Sequence, residues 1–433
     1  MKAVYTLNPA YPGNPFIEAL PPTLGGQALV DALGHFPAYD EASRQLPAEV
    51  RLQMLGTLYE VYQPLEMTVQ LYYQVYAAMQ HSFAQKLTVA DVQQYHTNYG
   101  DLQNRRITAA TGGGNSFSVI GISGLGKSRT LQQVLGLFPP VIEHEAYNGQ
   151  PLVCKQIPYI VVQTPSDASI KALCLDILLQ IDGASGTAHH QRAITNRLST
   201  DMMVSQIAQI SKSINLGLLV VDEIQNIAHI RNGGGTRLLN FIVQLINSAH
   251  LSVCMVGTPQ VLGTLQAEFR SARRATGLVY DRLGNNDEFS LLLKSLWRYQ
   301  YTRNSADLTP EVANWIYRKT QGVPDIVVKL IYHSQQRAIM DGTENITIEV
   351  LEKAYRTSLQ MVDGFLASLN DTPKRQRTAP KPGTGDLTVN TQSMEPHQTT
   401  GRANLRAIVA DAKKQGKPVV DALAEYATEV AIL

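Results

Sequence analysis

Apolar positions along the chain fall into two rhythms. Between about 115 and 290, the runs "SFSVIGI", "IPYIVVQT", "LGLLVVDE" and "LSVCMVGT" alternate with segments of helical length. Apolar runs with little polar alternation are buried on both faces, so this pattern predicts a parallel sheet with helices on both sides. Each run ends in polar or glycine residues. Ligands of such sheets bind outside the carboxyl ends of the strands, which places the chemistry along that edge.

The other rhythm is helical. In "LEMTVQLYYQVYAAMQ", residues Leu65, Val69, Tyr72, Tyr73 and Tyr76 recur at helical spacing and predict a small helical layer whose tyrosines pack. Before it, residues 1 to about 40 are rich in Pro, Gly and Ala and read as an extended arm laid over a surface. Beyond 305, "LTPEVANWIYRKTQG" carries Thr309 as N-cap, Pro310 at the first helical position and Gly322 as C-cap, and two further helices follow. The expected organisation is an arm and helical layer over 1–110, an α/β core over 111–300, a helical lid over 301–370, a disordered linker over 371–400 and an amphipathic tail over 401–433. The linker holds too few apolar residues to order itself. In the tail, Leu405, Ile408, Val409 and Ala412 lie on one helical face, which suits either docking to a partner or folding back on the same chain.

Composition changes this picture little. The 433 residues suffice for two or three domains, and 44% hydrophobic with 17% charged residues is ordinary for a globular protein. With 37 basic against 36 acidic side chains there is no overall basic field, so nucleic-acid binding would need a local patch. Cys154, Cys174 and Cys254 are dispersed and read as small buried hydrophobes in a reducing compartment. No signal peptide and no run approaching the ~18 apolar residues of a membrane span is visible, so a soluble, cytoplasmic protein without membrane contact is expected.

Chemistry concentrates in "GISGLGKSRT". Gly121, four residues, then Gly126, Lys127 and Ser128 match the phosphate loop G-x-x-x-x-G-K-[ST] between a predicted strand and a predicted helix. Glycines let backbone N–H groups wrap a phosphate, the helix start favours negative charge, Lys127 reaches the outer phosphates and Ser128 can ligate magnesium. Gly121, Ser123, Gly124, Gly126, Lys127, Ser128 and Arg129 are therefore the candidate ATP ligands. The run "LGLLVVDEIQ" supplies Asp222 for the Mg2+ ion and Glu223 to orient and deprotonate an attacking water, a pair that indicates hydrolysis. Thr258, ending a further strand, suits a phosphate sensor, though "GTP" is also a routine turn. Arg270, Arg273 and Arg274 are either a solvated basic face or a source of charge for a neighbouring subunit's nucleotide. No N-K-x-D motif for guanine occurs, which points to adenine.

Together these features resemble an AAA+ ATPase of the initiator type. Within that class, "YPGNPFIEALPP", "QTPSDASIKALCLDIL", "FRSARRATG", "LLLKSLWRYQYT" and "TQGVPDIVVKL" resemble the TnsC family of ATP-dependent transposition regulators, including those of CRISPR-associated transposons, over roughly residues 10 to 365. The resemblance implies a P-loop AAA+ α/β fold with a helical lid and homo-oligomeric rings or filaments on duplex DNA. It also implies a target-selection protein and transposase subunits as partners. It makes Arg273 or Arg274 the arginine acting in trans, Lys171 the cation that meets DNA phosphate, and the tail the place where a transposase subunit docks. One departure stands out: where many AAA+ chains carry arginine after G-x-P, this one has Asp325. A motor that remodels protein or DNA, or an NTPase that signals only to proteins, would share the same core.

Overall fold

The structure, a computed structural model, describes residues 1–84, 86, 116–167, 169–229, 234–249, 251–263, 265 and 276–371. Six strands form one sheet: β1 (Ser116–Gly121), β2 (Ile142–Tyr147), β3 (Gln150–Gln163), β4 (Leu216–Asp222), β5 (Ser252–Gly257) and β6 (Thr276–Tyr280), in the order β2-β3-β4-β5-β1-β6. All neighbours are parallel except β2 and β3. Every residue of β4 and β5 is buried, which is why these strands read as unbroken apolar runs. The register pairs Ile120 with Gly257 and Gln163 with Asp222, so β1, β3, β4 and β5 end along one edge.

Two strands lie outside the expected set. The run "IPYIVVQT" is the second part of the 14-residue β3, whose first part forms a hairpin with β2. Asn148 and Gly149 make the two-residue loop with φ of 48° and 77°, both left-handed, as a type I′ hairpin turn requires. Strand β6 pairs with β1 at the far side.

Helices cover both faces. On one, α6 (Ile170–Ser185), the short α7 (His189–Thr195), α8 (Thr200–Ser213) and α9 (Gly234–Ala249) bury Leu173, Ile177, Ala193, Met203, Ile207, Ile242 and Leu245 in one cluster with Leu219 and Val221. On the other, α4 (Glu66–Ala84) and α5 (Lys127–Leu135) pack Leu71, Val75, Met79 and Leu131 against Phe117, Leu218 and Val220. Alternate residues of β4 thus serve opposite cores. Tyr72 and Tyr76 are buried in the second core, whereas Tyr73 is 43% exposed and donates its hydroxyl to the Leu24 carbonyl. Burial raises all three thiols above their ordinary range, Cys154 to about 11 and Cys174 to about 12.

The amino-terminal arm has little regular structure, with the one-turn α1 (Pro15–Glu18) and α2 (Gly26–Leu33), but it enters the second core through Phe16, Ile17, Leu20, Leu29 and Leu33. Asn14 fixes its entry: Oδ1 accepts from Phe16 and Ile17 N–H, and Nδ2 donates to the Phe83 carbonyl. The chain start runs beside β2, with Lys2 bridged to Glu143.

A third core joins α10 (Asp287–Trp297), α11 (Pro310–Thr320), α12 (Pro324–Met340), α13 (Ile348–Ala354) and α14 (Asp363–Asp371). Leu55, Leu58 and Val61, after the short α3 (Ala48–Met54), belong to the same cluster, so this helical layer is assembled from two distant stretches of chain. Thr309 caps α11 as expected, accepting from Val312 N–H, and Pro310 opens it. At the other end Gln321, not Gly322, is the capping residue at φ 50°, and Gly322 follows at φ 75°. Arg51, 1% exposed, ties the two stretches together through two 2.7 Å bonds to Glu344 and others to the Tyr301 and Leu46 carbonyls.

Among the described residues no helix is long and apolar enough to cross a membrane. The expected linker from 372 on, the tail 401–433, and Arg270, Arg273 and Arg274 lie outside the described residues.

Arg51 is buried but Glu344 keeps some contact with solvent, so Arg51→Ala, which removes these charge-assisted hydrogen bonds, should cost about 1.5–3 kcal/mol in denaturant unfolding, and a loss below about 1 kcal/mol would contradict this role. Hydrogen bonding from Arg51 holds the Glu344 carboxyl below its ordinary 4.5. Its contribution is therefore complete above that value and fades as pH falls through the depressed one, so wild type and variant should converge in stability in acid.

Candidate nucleotide site

The loop between β1 and α5 is shaped by its glycines. Gly124 and Gly126 have φ of 78° and 91°, a region costly for side chains, and Gly126 precedes α5 without any side-chain cap. The first N–H groups of the helix are thus open to an anion. Lys127 Nζ lies across the loop, donating to the Gly121 carbonyl at 2.7 Å and the Ile122 carbonyl at 2.9 Å. Burial pushes its pKa down, while the charges of Asp222 and Glu223 pull it back up.

From the neighbouring strands come the other candidates. Ser128 Oγ donates to Asp222 Oδ2 at 2.7 Å, joining the start of α5 to the end of β4. Asp222 is 9% exposed, and its other oxygen accepts from the Glu223 N–H at 2.7 Å. Glu223 is exposed with φ of 56°, and its carboxylate accepts from the Gln225 side chain. Since β5 lies between β1 and β4, Thr258 follows it between the loop and the acids. Its Oγ1 is buried without a partner.

A cavity of about 390 Å³ connects these groups to a less polar end. That end is lined by Tyr59, Val61, Tyr62, Leu65 and Met67 from the amino-terminal region and by Leu292, Pro324 and Val328 from the helical layer. Phosphate loop at one end and apolar slot at the other suit a flat base joined to phosphates. Sequence reasoning missed residues 59–67 as part of a site, because only their packing against distant helices makes them a wall.

Arg129 does not point along the loop. Its Nη2 donates to the Glu60 carbonyl at 2.7 Å and its guanidinium lies 5.5 Å from the Tyr62 ring centre, so it holds the 59–62 wall in place. Tyr62 in turn bonds Thr68 and Thr130. Asp325 reaches the loop from α12: its N–H donates to the Gly124 carbonyl at 3.1 Å and its carboxylate pairs with Lys329 at 2.7 Å. Lys171 is exposed in the first turn of α6 and lines no part of this cavity.

ATP and magnesium fit these residues. The uncapped helix start, the unpartnered Thr258 hydroxyl and an ammonium resting on loop carbonyls are donors suited to phosphate. Among the described residues no group of three or more His, Cys, Asp or Glu could enclose a metal. A Ser128–Asp222 pair is nonetheless what magnesium uses when phosphate and water supply its remaining oxygens.

Residues 110–265 match the family model described as AAA domain. No curated protein matches the chain in sequence. Among solved structures, the Walker-type ATPase PABY2304 of Pyrococcus abyssi is similar at 14% identity, 64% of this chain, 74% of that one and a TM-score of 0.37. The ORC1 protein of Aeropyrum pernix in complex with DNA gives 16%, 64%, 68% and 0.38. Drosophila ORC bound to DNA gives 13%, 96%, 85% and 0.40.

If the loop holds nucleotide as its shape indicates, Lys127→Ala should weaken binding of a fluorescent ATP analogue by at least about tenfold, the value of a lost charged contact of 1.4 kcal/mol or more, with an unchanged circular dichroism spectrum. Equal affinity would remove the loop from nucleotide binding. Sheet order, loop geometry and the matched segment agree: residues 110–265 carry an AAA domain within a P-loop α/β fold.

Proposed function

We propose that this protein is an ATPase that regulates DNA transposition, oligomerising on duplex DNA with ATP and linking a target-selection protein to transposase subunits in the cytoplasm. The observation that carries the ATPase reading is the 2.7 Å contact of Ser128 with Asp222, with Glu223 next in the chain on the cavity wall. The transposition reading rests on the stretches that resemble TnsC proteins.

In this reading Glu223 takes a proton from water as the water oxygen bonds the terminal phosphorus. The bond to the bridging β-phosphate oxygen breaks, and ADP and inorganic phosphate leave. Lys127 and the N–H groups of the loop meet the phosphate charge, and the Thr258 hydroxyl contacts the terminal phosphate. Ser128 and Asp222 would hold a magnesium ion, which neutralises phosphate charge. Arg273 or Arg274 of one subunit serves the nucleotide of the next, so that assembly and hydrolysis are coupled. In the position where many AAA+ chains carry an arginine the lid has Asp325, which is paired with Lys329. Sensing by the lid therefore differs in charge from theirs.

Lys171, exposed at a helix start, is the DNA contact of this reading. Phosphate contact is independent of sequence, so Lys171→Ala should weaken duplex binding alike for all sequences and lower the salt slope by about one. An unchanged slope would place the DNA elsewhere.

Negative-stain microscopy with duplex DNA and a non-hydrolysable ATP analogue tests the whole reading: rings or filaments should require both ligands. Glu223→Gln should slow ATP turnover by about 100-fold or more and leave assemblies that persist in ATP. Monomers under every condition, or Glu223→Gln assemblies that decay as fast as wild type, would refute the coupling of assembly to hydrolysis.

A further inference from the structure

We propose that Gln225 is the positioning residue of Glu223: its side-chain amide holds the carboxylate and ties it to the end of β5, where the terminal phosphate is sensed. This rests on the reading of the site as hydrolytic. Gln225 sits two residues beyond Glu223 in a 3₁₀ turn, Ile224–His229. Its NH₂ donates to Glu223 Oε2, while its carbonyl accepts from the Thr258 N–H at 3.2 Å. One planar group thus spans from the candidate base to the backbone of the candidate sensor.

The seat for this amide is built by its surroundings. A Cβ on Gly257 would fall 2.9 Å from Gln225 Oε1 and 2.5 Å from Ile224 Cγ2, so glycine is what lets the side chain approach β5. Ile224 is fully buried. Asn226 donates its N–H to the Glu223 carbonyl at 3.0 Å and its Nδ2 to the Thr164 carbonyl at 2.8 Å, anchoring the turn to β3. Glu223 itself keeps a left-handed backbone, which persists only where neighbours over-determine it.

Chemistry explains why an amide stands here. A base must present one oxygen to water in a fixed direction, and an exposed glutamate left alone samples many rotamers. With Oε2 held by Gln225, Oε1 is left for the proton. Only a side chain carrying both donor and acceptor can hold a carboxylate and take a backbone N–H together, and Gln does so at this length. The arrangement extends the logic by which a base is oriented by a third group. The Thr258 hydroxyl, which has no partner, belongs to the same residue whose N–H makes this link. A phosphate drawn to Thr258 therefore shifts the N–H on which Gln225 rests.

The test uses the full-length protein, with steady-state ATP turnover and binding of a fluorescent ATP analogue measured side by side. Gln225→Met removes both hydrogen bonds at similar length. Gln225→Glu keeps the acceptor for Thr258 but loses the donor and sets a second carboxylate beside Glu223. Both should lower kcat by about tenfold or more while affinity stays within about twofold, the split expected when only the transition state loses an interaction. In a Glu223→Gln background, followed in single turnover, Gln225→Met should cost nothing further, because its effect passes through Glu223. Unchanged kcat in both variants, equal losses in kcat and affinity, or losses that multiply in the double variant would overturn the proposal. A wild-type chain that binds nucleotide and never hydrolyses it would overturn the hydrolytic reading, and this inference with it.

Discussion

Contact between Ser128 and Asp222 is the constraint around which the molecule is arranged. The strands that deliver these residues are not neighbours, since β5 runs between them. Two strand spacings amount to roughly 10 Å, so the two side chains can meet only over the end of the intervening strand. β5 stops at Gly257, level with Ile120 of β1. The glycine adds no bulk where the helix start and the acid must close, and the turn after β4 fills the space instead. Strand lengths, buried apolar faces and the two helical layers serve this alignment, because a one-residue slip would turn Asp222 away.

Around that contact the polar groups are disposed for a ligand of opposite charge. Lys127 rests on carbonyls, and the Thr258 hydroxyl and the first turn of α5 are short of partners. The carboxylates of Asp222 and Glu223 are each held by donors from the chain itself. The apolar end of the cavity is divided between the amino-terminal wall and the helical layer, and the phosphate loop lines its other end.

The phosphate loop, the acids and the edge on which they meet were legible because each is a local pattern: apolar runs, then residues whose chemistry has few other uses. The β2–β3 hairpin was also written locally, in the Asn148–Gly149 pair, but its arm "PLVCKQ" alternates too weakly to read as strand without its partner. Strand β6 is short and earns its place only by pairing with β1. The wall at 59–67 and the placing of Arg129 against it were hidden for another reason: they depend on contacts with residues more than 60 positions away, which no window of periodicity samples. Gln225 was hidden by size, since one amide beside an acidic pair carries no signal until the backbone of Thr258 is brought to it.

The Arg51–Glu344 pair spans 293 positions of sequence. During synthesis, the stretch that carries Arg51, Leu55 and Leu58 emerges before the helices that bury its leucines, and Arg51 has no carboxylate partner until the chain past 344 has left the ribosome. The sheet can gather its own helices earlier, from contacts nearer in sequence, whereas this closure must be long-range and late. The last helices are therefore less an appendage than the second half of a layer begun at the other end of the chain. A nascent protein interrupted among them would display a bare guanidinium and a strip of leucines, with the cavity still short of its second apolar wall.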